Sequence, residues 1–243
     1  AGDEEPPADS NIAIGQDTGM CNAGDHLIAM GDYAALENEG DENIAIGTCA
    51  GKEMTSGTYN IFLGHCAAGA GAVTGGCNIT LGKEAGRSIS SGGKNIFLGL
   101  QSGLLATTGS ENIAMGELAM GGAVVTGSHN FAVGNGSGYN TTSGSWNIFM
   151  GGAGYCNQTG SYNIFIGNGA GKCSSSTNHA VIIGAGAGRC NSSSTNNFIG
   201  AYSGCKITGG GNVALGHKAL GGAGNAGDGA DNVAIGYYAG GNA

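Results

Sequence analysis

The chain has 243 residues, of which 53 are glycine and only 2 proline, with 10% charged side chains and a formal net charge of -9. Collagen is excluded because glycine does not recur every third residue, and disorder because 40% of the chain is hydrophobic and regularly placed. With eight Lys and Arg in all, a nucleic-acid backbone or an anionic membrane is disfavoured as partner, and no apolar stretch approaches the ~20 residues that span a bilayer.

Residues 1–10 open Ala1-Gly2-Asp3-Glu4-Glu5-Pro6-Pro7 and read as an acidic extension, of the kind left when a signal peptide is removed. Residues 11–243 form a single repeat domain. The block Asn-Ile-Ala-Ile-Gly at 11–15 returns at 43–47, as Asn-Ile-Phe-Leu-Gly at 60–64 and 95–99, and in related form at 112–116, 147–151, 163–167, 212–216 and 232–236. Weaker copies fill every gap. The block-ending glycines run Gly15, Gly31, Gly47, Gly64, Gly82, Gly99, Gly116, Gly134, Gly151, Gly167, Gly184, Gly200, Gly216 and Gly236. Their spacing of about 17 residues predicts an all-β fold, an elongated parallel β-solenoid or β-roll of about fourteen coils.

Each column of the repeat has a physical reading. One and three residues before the reference glycine the chain is Ile, Leu, Val, Met or Phe in nearly every repeat, the alternation of a short strand, and this stripe is expected to face the core. Four before the glycine stands Asn, as in Asn43, Asn60, Asn95, Asn112, Asn147 and Asn163. Stacked at ~4.8 Å, these amides should form a structural ladder that satisfies turn backbone groups. Eight before the glycine lies a Ser/Thr column, as in Thr74, Ser91 and Thr108, mostly followed by glycine and suited to a second corner.

Between the two apolar positions sit Ala or Phe. If the stripe fills the interior, this row points outward, and Ala45, Phe62, Phe97, Phe149, Phe165 and Phe198 form an assembly face buried against another copy of the chain. The alternative is a coil wide enough to bury both faces in one chain. A homo-oligomer or filament is the preferred expectation.

The eight cysteines are disulfide candidates. Cys49 and Cys66 share a column in adjacent repeats and make the strongest pair. Cys156, Cys173, Cys190 and Cys205 fall along one edge; Cys156–Cys173 with Cys190–Cys205 is the preferred pairing, and Cys173–Cys190 fits the same stacking. Cys21 and Cys77 have no column neighbour. Asn-x-Ser/Thr sequons at Asn78, Asn135, Asn140, Asn157 and Asn191 are N-glycosylation candidates, and with the cysteines they favour a secreted, extracellular protein.

Signals for chemistry are sparse. His26, His65, His129, His179 and His217 scatter among the repeat columns without a partner motif, and no nucleophile elbow or phosphate loop occurs, so an enzyme is not expected. No cofactor or metal site is expected either. Ca²⁺ is the weak exception, at the Gly/Asp-rich stretch 221–231 or at Asp32, Glu37, Glu39, Asp41 and Glu42, which read better as a solvated acidic loop.

The block Asn-Val-Ala-Ile-Gly at 232–236 with its following Ala239 resembles the head repeats of trimeric autotransporter adhesins. Asn147-Ile148-Phe149-Met150-Gly151 and Asn163-Ile164-Phe165-Ile166-Gly167 look still more like repeats of phage and bacterial tail-fibre proteins. The resemblance covers residues 11 to 240 and implies a parallel β-roll, commonly trimeric, that presents a surface for attachment to a cell-surface or glycan receptor. Those families carry a coiled-coil stalk and a membrane anchor, and neither is recognisable within these 243 residues.

The leading functional expectation is therefore a secreted structural subunit of an extracellular fibre, filament or appendage, with adhesion as an added role. The alternative is a monomeric binding module that recognises ice or a glycan.

Overall fold

The computed structural model describes residues 10–221 and 229–241. The expected N-terminal extension, apart from Ser10, lies outside the described residues, as does most of the Gly/Asp-rich stretch. Among those described there is no helix. Fourteen three-residue strands appear in chain order: β1 (Ile12–Ile14), β2 (Ile28–Met30), β3 (Ile44–Ile46), β4 (Ile61–Leu63), β5 (Ile79–Leu81), β6 (Ile96–Leu98), β7 (Ile113–Met115), β8 (Phe131–Val133), β9 (Ile148–Met150), β10 (Ile164–Ile166), β11 (Val181–Ile183), β12 (Asn197–Ile199), β13 (Val213–Leu215) and β14 (Val233–Ile235).

They form one parallel sheet in sequence order from β1 to β14, each strand paired residue for residue with the next, so that Ala45 stands beside Phe62 and Phe149 beside Phe165. This is the expected β-solenoid with its 17-residue period. The rest of each coil is a run of turns. We refer to each coil by the strand that begins it.

The reference glycine shows why the coils can stack. Gly47 has φ of +131°, and a Cβ placed there would lie 2.6 Å from the carbonyl oxygen of Gly64 in the next coil. Only glycine adopts that conformation and leaves that space at low cost.

The orientation of the strand corrects the sequence reading. The middle residue of each strand points inward: Ala45, Phe62, Phe97, Phe149, Phe165 and Phe198 are all fully buried within the chain. The flanking Ile, Leu and Met residues, expected to fill the core, face outward instead. The Ala/Phe row is therefore not an assembly face.

Two physical facts decide the direction. First, side chains alternate along a strand, so the Asn four before the glycine and the Ala or Phe two before it lie on the same side. The Asn amides must reach carbonyls across the coil, which commits their side to the interior. Second, the coil is narrow and its interior volume is shared among several columns. A Cβ on Gly103 would lie 2.7 Å from the Phe97 ring, and one on Gly138 would lie 2.6 Å from that of Phe149. Where the strand offers Ala114 or Ala214 instead, the residue four past the reference glycine is Met120 or Leu220, and both are buried. Large and small residues thus complement each other across the interior, as dense packing requires.

Candidate functional surfaces

The Asn ladder forms as expected. The Asn60 backbone N–H donates to Asn43 Oδ1 at 2.9 Å, that of Asn112 to Asn95 Oδ1 at 3.0 Å, and that of Asn163 to Asn147 Oδ1 at 3.1 Å. Each amide also donates across the coil to the second corner: Asn43 Nδ2 to the Gly57 carbonyl at 2.7 Å, Asn95 Nδ2 to Gly109 at 2.8 Å, and Asn147 Nδ2 to Gly160 at 2.7 Å. The ladder thereby joins the strand to the Ser/Thr-Gly corner of a neighbouring coil. These amides are buried and spent on structure, so they offer no ligand site.

The outward side of the sheet has a different character. Its two columns run from Ile12 and Ile14 to Val233 and Ile235, and Asn197 is the only polar residue in either. Many are substantially exposed, among them Ile46, Leu81, Ile148, Ile199 and Leu215, with Leu81 at 49%. Fourteen strands at ~4.8 Å give a flat apolar strip on the order of 65 Å long. A continuous strip of that length exceeds the few hundred Å² of contiguous apolar surface that monomers usually expose.

The eight cysteines are all unpaired thiols, and no disulfide joins them. Cys49 and Cys66 are neighbours as expected. The Cys66 thiol is pushed above its usual range, first by burial and then by the adjacent Cys49. On the other edge the structure puts Cys190 beside Cys173, and burial followed by that contact raises the Cys190 thiol as well. Cys205, the preferred partner of Cys190 in the sequence reading, donates instead to the Gly186 carbonyl at 3.0 Å. Cys156 is partly buried, while Cys21 and Cys77 are exposed.

Three of the five sequons are unsuitable for glycosylation in the folded chain. Asn78, Asn157 and Asn191 are fully buried. Asn78 belongs to the ladder, Asn157 Nδ2 donates to the Ser174 carbonyl, and Asn191 Nδ2 donates to that of Ser193. Asn135 is exposed and Asn140 half-buried.

Among the described residues no three His, Cys, Asp or Glu side chains converge as a metal site would require. Two members of the acidic group serve the stacking: Asp32 accepts from the Gln16 N–H at 3.1 Å, and Asp41 from the Asp25 N–H at 2.8 Å.

The histidines are less scattered than the sequence reading held. His26, His129 and His179 share the column five before the reference glycine, where the backbone is left-handed. In the coils of β7 to β10 that column is a stack of rings. The His129 and Trp146 centroids are 3.9 Å apart, Trp146 and Tyr162 6.4 Å, and Tyr162 and His179 5.0 Å, with interplanar angles of 12° or less. Glu111 places a carboxylate oxygen 2.9 Å from His129 Nε2 and is 3.3 Å from Lys94 Nζ. Because the rings cover each other's faces, the stack presents edges to solvent and reads as a stabilising spine.

No protein-family model, curated protein or solved structure matches this chain.

Proposed function

We propose that the protein is a structural rod that associates with further copies of itself through the outward face of its sheet. The observation that carries this reading is the pair of outward columns, apolar in every coil with Asn197 as the one exception. A second copy is the favoured occupant for two reasons. The strip presents on the order of 1,000 Å² or more of apolar surface, against ~800 Å² per partner in a standard stable interface. Its ridges also repeat at the strand spacing, and an identical sheet offers the same spacing over the same length, so side chains interdigitate along the whole strip.

An extracellular fibre, filament or appendage is the setting this proposal favours, with adhesion as an added role. The exposed Asn135 sequon supports it. The likeness of the repeats to adhesin heads and tail fibres points the same way.

The test is sedimentation velocity on the native chain and on a variant carrying Leu81→Lys and Ile148→Lys. Both positions face solvent, so the variant should keep the native far-ultraviolet spectrum. The native chain is expected to sediment as a dimer or larger species down to micromolar concentration, and the variant as a monomer. A strictly monomeric native chain, or a variant that associates equally well, would overturn the proposal.

A further inference from the structure

We infer that a groove on the turn side of the coils of β8 to β11 binds an anionic oligosaccharide. The groove encloses about 360 Å³ and contains no strand residue, so the inference stands apart from the association proposed above.

The groove exists because side chains are missing from one column. Two residues past the reference glycine, other coils carry Cys49, Glu84, Gln101 or Leu118. In the coils of β8, β10 and β11 the residue there is Gly136, Gly169 or Gly186, and in that of β9 a loop one residue shorter contributes Gly152. A Cβ on Gly169 would meet nothing within 4 Å. Successive glycines therefore floor a trough parallel to the rod. Tyr202, which restores a large side chain in the following coil, closes one end.

One wall is a row of larger residues: Tyr155, Lys172 and Arg189 in successive coils. The backbone bonds from Cys156 N to the Lys172 carbonyl at 3.0 Å and from Cys173 N to the Arg189 carbonyl at 2.8 Å hold these coils together beside the row. Tyr155 stacks on Tyr139 with centroids 4.8 Å apart, which fixes the ring, and Lys172 Nζ lies 5.8 Å from the Tyr155 centroid. Asn135 and Asn168 line the groove as well.

The chemistry of these groups selects the ligand. The chain has eight Lys and Arg against a net charge of -9, yet two of the eight line this one groove and no carboxylate does. The nearest acidic contact is at the β7 end, where Asn135 Nδ2 donates to Glu117 at 3.3 Å. Two cations one coil apart match carboxylates or sulfates on a linear polymer, with Arg able to bind in a bidentate manner. Asn amides suit sugar hydroxyls, and Tyr202 at the closed end supplies flat apolar surface for the C–H face of a sugar ring. Single-stranded nucleic acid fits less well, because two cations in a strongly acidic protein give little counterion release.

Calorimetric titration of the native chain tests the site, using a trigalacturonate as the carboxylated probe, a carrageenan tetrasaccharide as the sulfated probe, and maltotriose as the neutral control. The expected result is at least tenfold tighter binding of one or both anionic probes than of the neutral one, and which of them binds identifies the acidic group. Lys172→Gln with Arg189→Gln should weaken binding at least tenfold.

Gly169→Gln should do the same by filling the trough. The coil of β6 already holds Gln101 at this position with φ of +55°, and Gly169 itself has φ of +69°, so the substitution keeps the fold. The inference is overturned if neither anionic probe binds at ~1 mM, if the neutral sugar binds as tightly, or if either variant binds as the native chain does.

Discussion

On the sheet side every coil repeats one pattern, from Ile12 and Ile14 at β1 to Val233 and Ile235 at β14, whereas on the turn side neighbouring coils differ: Gln101 and Leu118 give way to Gly136 and Gly169, and then to Tyr202. The two regions share the same stacking, so stacking alone does not explain the difference. On the sheet side the strands must pair in register, the Asn amides must meet the corner carbonyls, and the reference glycine must pass its neighbour within contact distance. A change in one coil is felt in the next. On the turn side the left-handed position two past the reference glycine points its side chain outward, and the backbone tolerates Cys49, Glu84, Gln101 or Gly169 there alike. Uniformity suits a surface that works by repetition, and variety allows a local site.

The contrast between two glycines tests this most severely. Gly47→Ala puts a methyl group 2.6 Å from the Gly64 carbonyl oxygen at φ of +131°, and should cost ~3 kcal/mol or more, with loss of cooperative unfolding. Gly169→Ala meets no neighbour and carries only the left-handed penalty of ~1–2 kcal/mol. Thermal or denaturant unfolding of the two variants measures the gap; equal losses would show that the two sides are constrained alike.

A smaller effect, of opposite sign, sharpens the account of the interior. Thr80 occupies the inward row with its hydroxyl buried and unpartnered. Thr80→Val removes that unmet polar group at nearly constant shape, and should leave stability unchanged or raise it by ~1 kcal/mol, read from the denaturation midpoint. A clear loss would mean that the hydroxyl has a use inside the coil.

Much of the fold was legible in the sequence because it depends on spacing. The repeat of the block-ending glycines, the Asn column and the Ser/Thr-Gly corner gave the solenoid, its ladder and its second corner. What spacing could not convey was direction: the two columns that are apolar in nearly every repeat read as the core, yet they face outward while the Ala/Phe row between them faces in. Two signals pointed the other way. Asn43 and Ala45 have the same parity along the strand, so the ladder and the Ala/Phe row share a side. The exchange of Phe97 with Gly103 for Ala114 with Met120 is the compensation expected between residues that fill one interior. The sequons misled for a related reason: Asn157 and Asn191 fall in an inward column, and Asn78 in the ladder, which a three-residue motif does not reveal. The groove left a signal too, in the glycines at 136, 169 and 186 beside Tyr155, Lys172 and Arg189, but its meaning depended on knowing that this column faces solvent.

The six methionines permit one measurement of both orientation and association. Met30, Met115 and Met150 lie on the outward face of the sheet, Met54 and Met120 are fully buried in the coil, and Met20 is 65% exposed away from the sheet. Peroxide oxidation followed by peptide mass spectrometry, on dilute and on concentrated protein, reads each one separately. The expected result is that Met30, Met115 and Met150 oxidise readily in dilute protein and become protected as concentration rises, while Met20 reacts throughout and Met54 and Met120 stay protected. Oxidation of Met54 and Met120 as fast as Met115 would contradict the inward and outward assignment, and reactivity of Met115 and Met150 that does not change with concentration would contradict association through the sheet face.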